Sequence, residues 1–136
     1  MKVLNSLILF GFVFFLACVN GKTQTSNYKS ISEEKLSGQI EYVFSPDSSY
    51  VMSFVEIKGT AKHPQNNIKY IVHDLKTDKV VYEDALDNGS VSFYNDHAIQ
   101  IIMIPGIMRE GQSSDDFTYV YDLKTKEKKT LTELKN

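Results

Sequence analysis

Tyr70-Ile71-Val72-His73-Asp74-Leu75-Lys76-Thr77-Asp78-Lys79 and Tyr119-Val120-Tyr121-Asp122-Leu123-Lys124-Thr125-Lys126-Glu127-Lys128 are two versions of one segment, matched with one extra residue in the first. Each runs from β-branched and aromatic residues into Asp-Leu-Lys-Thr and out again through lysine, the pattern of two strands joined by a turn. The aspartates Asp74 and Asp122 lie 48 residues apart. Upstream, Val43-Phe44-Ser45-Pro46-Asp47 matches Ser92-Phe93-Tyr94-Asn95-Asp96, with Phe44 and Phe93 49 residues apart. Self-similarity at a fixed period of this length means one supersecondary unit built twice.

Strands are expected near Gln39–Phe44, Tyr50–Lys58, Ile68–Asp74, Lys79–Glu83, Ser90–Tyr94, Ala98–Ile104, Phe117–Asp122 and Lys128–Leu134. Turn chemistry separates them at Pro46-Asp47-Ser48-Ser49, Asp74 to Asp78, Asp87-Asn88-Gly89 and Asn95-Asp96-His97. No stretch after residue 38 has a helical period. The expected domain, 39–136, is therefore all-β, with antiparallel repeats at about 39–84 and 89–134. A variable loop falls between the second and third strands of each repeat, Gly59 to Asn67 in one and Pro105 to Asp116 in the other.

A four-stranded unit of this period resembles a blade of the β-propeller family, in which Phe-Ser-Pro-Asp and Asp-Leu-x-Thr-Gly-Lys turns recur. Phe44-Ser45-Pro46-Asp47 fits the first turn. Asp74-Leu75-Lys76-Thr77-Asp78-Lys79 fits the second, with Asp78 where the family places a glycine in left-handed conformation. The second copy departs further, with Lys126-Glu127 after Thr125. Propellers close with four or more blades, and this chain has material for two. The expectations are two blade-like repeats packed as a small sandwich or open barrel, or two chains completing a ring as a homodimer.

The N-terminus sets the address. Lys2 precedes an almost wholly apolar run from Val3 to Leu16, then Phe15-Leu16-Ala17-Cys18. The run is shorter than the roughly 20 residues that span a bilayer core. Cys18, the only cysteine, stands where it ends. This segment resembles bacterial lipoprotein export signals, which are cut before a lipidated cysteine. Leu16 and Phe15 depart from the commonest form, whereas Ala17 supplies the small residue before the cut. The resemblance implies a signal peptide over 1–17, cleavage between Ala17 and Cys18, and attachment to the bilayer through acylated Cys18. Two or three chains give stable anchoring where one is marginal. The expected location is the cell envelope, on the periplasmic face of the outer membrane in a Gram-negative organism. Residues 18–38 are polar and read as the lipidated cysteine and a flexible tether, with Ser32 to Leu36 able to form a helical turn on docking.

The chain has 15 basic and 17 acidic residues and a single arginine, Arg109. With no polybasic stripe, a nucleic-acid partner is not expected. His63, His73 and His97 lack metal-ligand spacing, so no metal or cofactor is expected. His73, at the place of Tyr121 in the other repeat, reads as a strand-surface residue. Glu110, Ser113, Ser114, Asp115 and Asp116 share the loop that starts at Arg109, but their spacing does not fit calcium, and a solvated hairpin loop is the plainer reading. No nucleophile elbow, phosphate loop or Cys-His pair is present, so no catalytic residue is assigned. Ile101 to Met108 is the most apolar stretch of the domain, broken by Pro105-Gly106. Beyond that break Ile107 and Met108 either fold back on the core or form an exposed contact for an envelope partner. The function expected from these features is a non-enzymatic binding or assembly module anchored to a membrane. The alternative is a small envelope hydrolase, or an inhibitor of one.

Overall fold

The computed structural model describes residues 27–136, so Ala17, Cys18 and the first part of the expected tether lie outside the described residues. Its strands are β1 (Glu41–Phe44), β2 (Tyr50–Ile57), β3 (Asn67–Asp74), β4 (Lys79–Asp87), β5 (Gly89–Asn95), β6 (Ala98–Met103), β7 (Thr118–Asp122) and β8 (Lys128–Thr130). They form two four-stranded antiparallel sheets, β1-β2-β3-β4 and β5-β6-β7-β8. Among the described residues no strand of one sheet pairs with a strand of the other, so the fold is a small two-layer sandwich and not a closed barrel.

The register makes the repeat exact through β2 and β3. Tyr50 lies opposite Asp74 as Ala98 lies opposite Asp122, and Val51 opposite His73 as Ile99 lies opposite Tyr121. Strand β3 therefore contains no extra residue, and Tyr70 answers to Thr118. The odd residue sits in the preceding turn. Phe44 faces Val51 across six intervening residues, whereas Phe93 faces Ile99 across five, with Tyr94 bulged out of the ladder.

The same register reveals how the sheets stack. Tyr50 and Met52 of β2 and Ile68, Tyr70 and Val72 of β3 enter the shared core, where they meet Ile99 and Ile101 of β6 with Tyr119 and Tyr121 packed alongside. The repeat counterparts of Ile99 and Tyr121 are Val51 and His73, which lie on the opposite face of β2 and β3. The front of the first sheet thus packs on the back of the second, as successive units of a repeat do. Such head-to-tail stacking leaves one unmatched face at each end.

A helix covers each end. Helix α1 (Tyr28–Lys35) lies on the back of the first sheet, where Ile31 and Leu36 pack with Ile40, Val55, Ile71 and Val80. Ser32 is wholly buried, its hydroxyl 2.7 Å from that of Ser53. Tyr28 sets its ring edge-on to Tyr42 and Phe44. The expected tether is corrected over residues 28–36, because a small hydroxyl and three apolar side chains suffice to seat one helical face. Gly38, at φ +125°, then turns the chain toward β1; a Cβ there would stand 3.0 Å from the Val55 side chain.

At the other end the expected strand to Leu134 stops at Thr130, and helix α2 (Leu131–Lys135) follows. Thr130 accepts from the Glu133 N–H while Glu133 accepts from the Thr130 N–H, a reciprocal cap that commits the chain to a helix. Strand β4 runs four residues beyond the expected Glu83, because Asp84 to Asp87 continue the ladder with β3 and bury Leu86. A single residue, Asn88 at φ 62°, carries the chain from one sheet to the next. Asparagine tolerates this left-handed conformation, and its amide donates to the Ile104 carbonyl.

Candidate functional site

The strands have two ends of different character. At one, Asp74 accepts the N–H groups of Lys76 and Thr77 at 2.8 and 3.1 Å, and Asp122 those of Lys124 and Thr125 at 2.8 and 2.9 Å. Both turns place their fifth residue in the left-handed region, Asp78 at φ 55° and Lys126 at φ 62°. The second copy therefore keeps the turn geometry despite its changed sequence. Here Asp78 accepts the backbone N–H of Asn27 at 3.0 Å, so the first described residue lies at this end.

The opposite end carries the two long loops. Asn88 holds them together: its N–H donates to the Asn66 carbonyl and its carbonyl accepts from Ile104. Residues 58–67 are all exposed. Around the second loop stand Met103, Ile104, Ile107 and Met108, with Ile107 86% and Met108 50% exposed, and Ile57 is exposed on the neighbouring hairpin. Ile107 and Met108 do not fold back on the core. A strand of eight residues spans roughly 26 Å, which sets the distance between this apolar rim and the Asn27 end.

The acidic residues of the second loop have a local use. Ser113 and Asp116 close a capping box around the 3-10 turn Ser114–Phe117, Thr132 donates to Asp116, and Lys135 pairs with Asp115. These bonds hold α2 against the loop base. The Ser113 N–H and the Thr132 hydroxyl keep the Asp116 carboxyl below its ordinary range.

The histidines occupy three unlike places. His63 is exposed. His97, partly exposed, lies 3.5 Å from Asp122, whose carboxyl is lowered first by the Thr125 N–H, then by Lys124 and His97, against its own desolvation. His73 is corrected from the surface to the interior: it is wholly buried, beneath Tyr28 of α1, with Nε2 3.0 Å from Asp78. Its Nδ1 has no hydrogen-bond partner among the described residues. Among the described residues no group of three His, Cys, Asp or Glu side chains is placed to hold a metal ion.

A cleft of about 380 Å³ opens on the front of the second sheet, lined by Tyr94, Ala98, Val120, Lys129 and Leu134 among others. It lies on the face left over by the stacking, with Leu134 of α2 at its rim. This face of the second sheet carries smaller and more polar residues than the matching face of the first: Ala98, Gln100 and Thr118 stand where Tyr50, Met52 and Tyr70 stand. That change suits a terminal repeat, whose outer face meets water.

Compared with protein-family models, with curated proteins and with solved structures, the chain matches none.

Proposed function

We propose that this chain is a membrane-anchored lipoprotein of the cell envelope that acts as a non-enzymatic binding or assembly module. The observation that carries the reading is the separation of Asn27 from the Ile107–Met108 loop by the length of the strands. A chain held to a bilayer through acylated Cys18 enters the fold at the Asp78 turn, so its apolar loops face away from the membrane. Exposed isoleucine and methionine side chains at a loop tip are costly in water and useful in an interface.

Two measurements test this. Intact mass and membrane partitioning of the chain expressed in a bacterial host should give a product lacking residues 1–17, with added acyl groups, and Cys18→Ala should abolish both the lipid and the membrane association. Photo-crosslinking from position 107 in intact envelopes should capture a defined protein, while the same probe at Lys69 on β3 should not. An unlipidated, freely soluble product rejects the anchor; equal capture from both positions rejects the binding end.

The exposure of both loops at one end also favours a second reading, an inhibitor that inserts Gly59–Asn67 and Pro105–Asp116 into an envelope hydrolase. The crosslinked species separates the two, since an inhibitor captures an enzyme and lowers its activity.

A further inference from the structure

Each sheet has two edges, and three of the four are blunted. Strand β1 has only four residues, and β8 has three, two of them lysine, before the chain turns into α2. Strand β4 carries Lys79, Glu83, Asp84 and Asp87 and bulges at Val81. Short length, charge and bulges are the devices that stop sheet edges from pairing with other chains. Strand β5, Gly89-Ser90-Val91-Ser92-Phe93-Tyr94-Asn95, has seven residues, no charge and no proline, and its one bulge lies at the turn end.

Its outer edge, unpaired among the described residues, presents backbone groups in order. Asn88 accepts from Ile104 directly opposite it, which makes that a hydrogen-bonded pair. Pairs alternate along an antiparallel ladder, so Ser90 and Ser92 bond to β6 while Gly89, Val91 and Phe93 turn N–H and C=O outward. Ser90 and Ser92 are exposed on the front face, and Val91 and Phe93 lie half-buried at the lip of the core.

We infer that β5 is a docking edge for a second copy of this chain, pairing antiparallel with its own counterpart about a two-fold axis at Ser92. This arrangement sets Val91 opposite the Phe93 of the second copy and Ser92 opposite Ser92, with the bulged Tyr94 just beyond the paired residues. An aromatic residue meets a β-branched one on the core side and no like charges meet, which is what favours one strand pairing over another. Isologous contact of this kind closes at two copies. It also leaves α1 and α2 seated, whereas a ring made by stacking the front of one second sheet on the back of another copy's first sheet would have to displace both. The area is that of one strand edge, below the roughly 1,600 Å² of a standard interface, so the dimer is weak and reversible.

The test uses the full-length chain in mild detergent, with Cys18→Ser removing its only other thiol. Opposed residues at a non-hydrogen-bonded position bring their Cβ atoms within disulfide reach, so Ser92→Cys should form a covalent dimer at least about tenfold faster than Glu83→Cys on the edge of β4. The parent chain should show concentration-dependent dimer in sedimentation velocity, and Ser92→Lys, which sets two lysines against each other, should remain monomeric. Ser92 is exposed, and an unchanged melting temperature for Ser92→Lys verifies its fold. A parent chain that stays monomeric, a dimer that survives Ser92→Lys, or equal crosslinking from positions 92 and 83 overturns the inference.

Discussion

The ring of Tyr82 on β4 lies 4.3 Å from that of Tyr121 on β7, centroid to centroid, and this contact joins the two sheets. In the repeat Tyr121 answers to His73, whose ring is 6.4 Å from Tyr28 on α1. Helix α1 therefore occupies on the back of the first sheet the place that the first sheet occupies on the back of the second. Replacing Tyr121 with alanine removes a partly buried aromatic from the inter-sheet core and should lower the unfolding free energy by about 2–4 kcal/mol. Urea denaturation measures this; a loss below about 0.5 kcal/mol would mean that the sheets do not fold as one unit.

Helix α1 is part of the same cooperative structure. Leu36 is only 6% exposed against Val55 and Ile71, so Leu36→Ala should lower the unfolding free energy by about 2–3 kcal/mol. A tether residue would tolerate the change within about 0.5 kcal/mol. Hydrogen exchange offers an independent check, because the Ile31 and Leu36 amides donate to Asn27 and Ser32 and should be protected.

The contrast between these two regions explains what the sequence conveys. Eight strands and their turns were legible because β-branched and aromatic runs stop at Asp, Asn, Pro and Gly, and the repeated Asp-Leu-Lys-Thr fixed the period. Helix α1 was legible only as a turn over Ser32 to Leu36, because its buried face is Tyr28, Ile31, Ser32 and Leu36, a serine in place of the apolar residue that would mark a longer helix. Helix α2 did leave a signal, Thr130-Leu131-Thr132-Glu133, the spacing of a capping box. The burial of His73 depends on α1 and was invisible. Front-on-back stacking follows only from register, which pattern alone does not give. The exposure of Ile107 and Met108 was one of two readings open after the Pro105-Gly106 break, and the fold decides it.

The left-handed residues of the two homologous turns should respond oppositely to glycine. Lys126, at φ 62°, is exposed and has no side-chain role in its turn, so Lys126→Gly should raise stability by about 0.5–1 kcal/mol. Asp78 has the same backbone conformation but accepts from Asn27 and pairs with buried His73. Asp78→Gly should therefore lower stability by about 1–3 kcal/mol despite relieving the backbone. Paired thermal or urea melts decide; a gain at both positions would show that the His73–Asp78 contact contributes nothing.

Acid should weaken the fold through its turn carboxylates. Hydrogen bonds hold the Asp47, Asp116, Asp122 and Glu133 carboxyls below their ordinary values. A group whose folded pKa is depressed stabilises fully above its unfolded pKa and loses that contribution as pH falls through the folded value. The melting temperature should accordingly stay level from neutral pH to about pH 5 and decline below about pH 4. Asp122→Asn keeps the acceptor oxygen but not the charge that faces His97, so the variant should be less stable than the parent at pH 7. That gap should narrow as the parent's carboxyl protonates, and a gap constant from pH 7 to pH 3 would assign the loss to packing alone.

The Ile107–Met108 rim separates stability from binding. Both side chains are exposed and touch no core cluster, so Ile107→Asp with Met108→Asp should change the unfolding free energy by no more than about 0.5 kcal/mol. Removing exposed apolar surface should leave solubility equal or better. If the rim is where an envelope partner docks, two carboxylates in the contact are desolvated without a counter-charge, and capture from envelopes should fall by at least about tenfold. The matched control is a double aspartate change at Lys62 and His63, in the other exposed loop, which tests whether any charge at this end has the same effect. Loss of capture confined to the Ile107 and Met108 change identifies the contact. Equal loss with both would widen it to the two loops together, as an inhibitor would require, and unchanged capture with either would remove this end of the molecule from the binding surface.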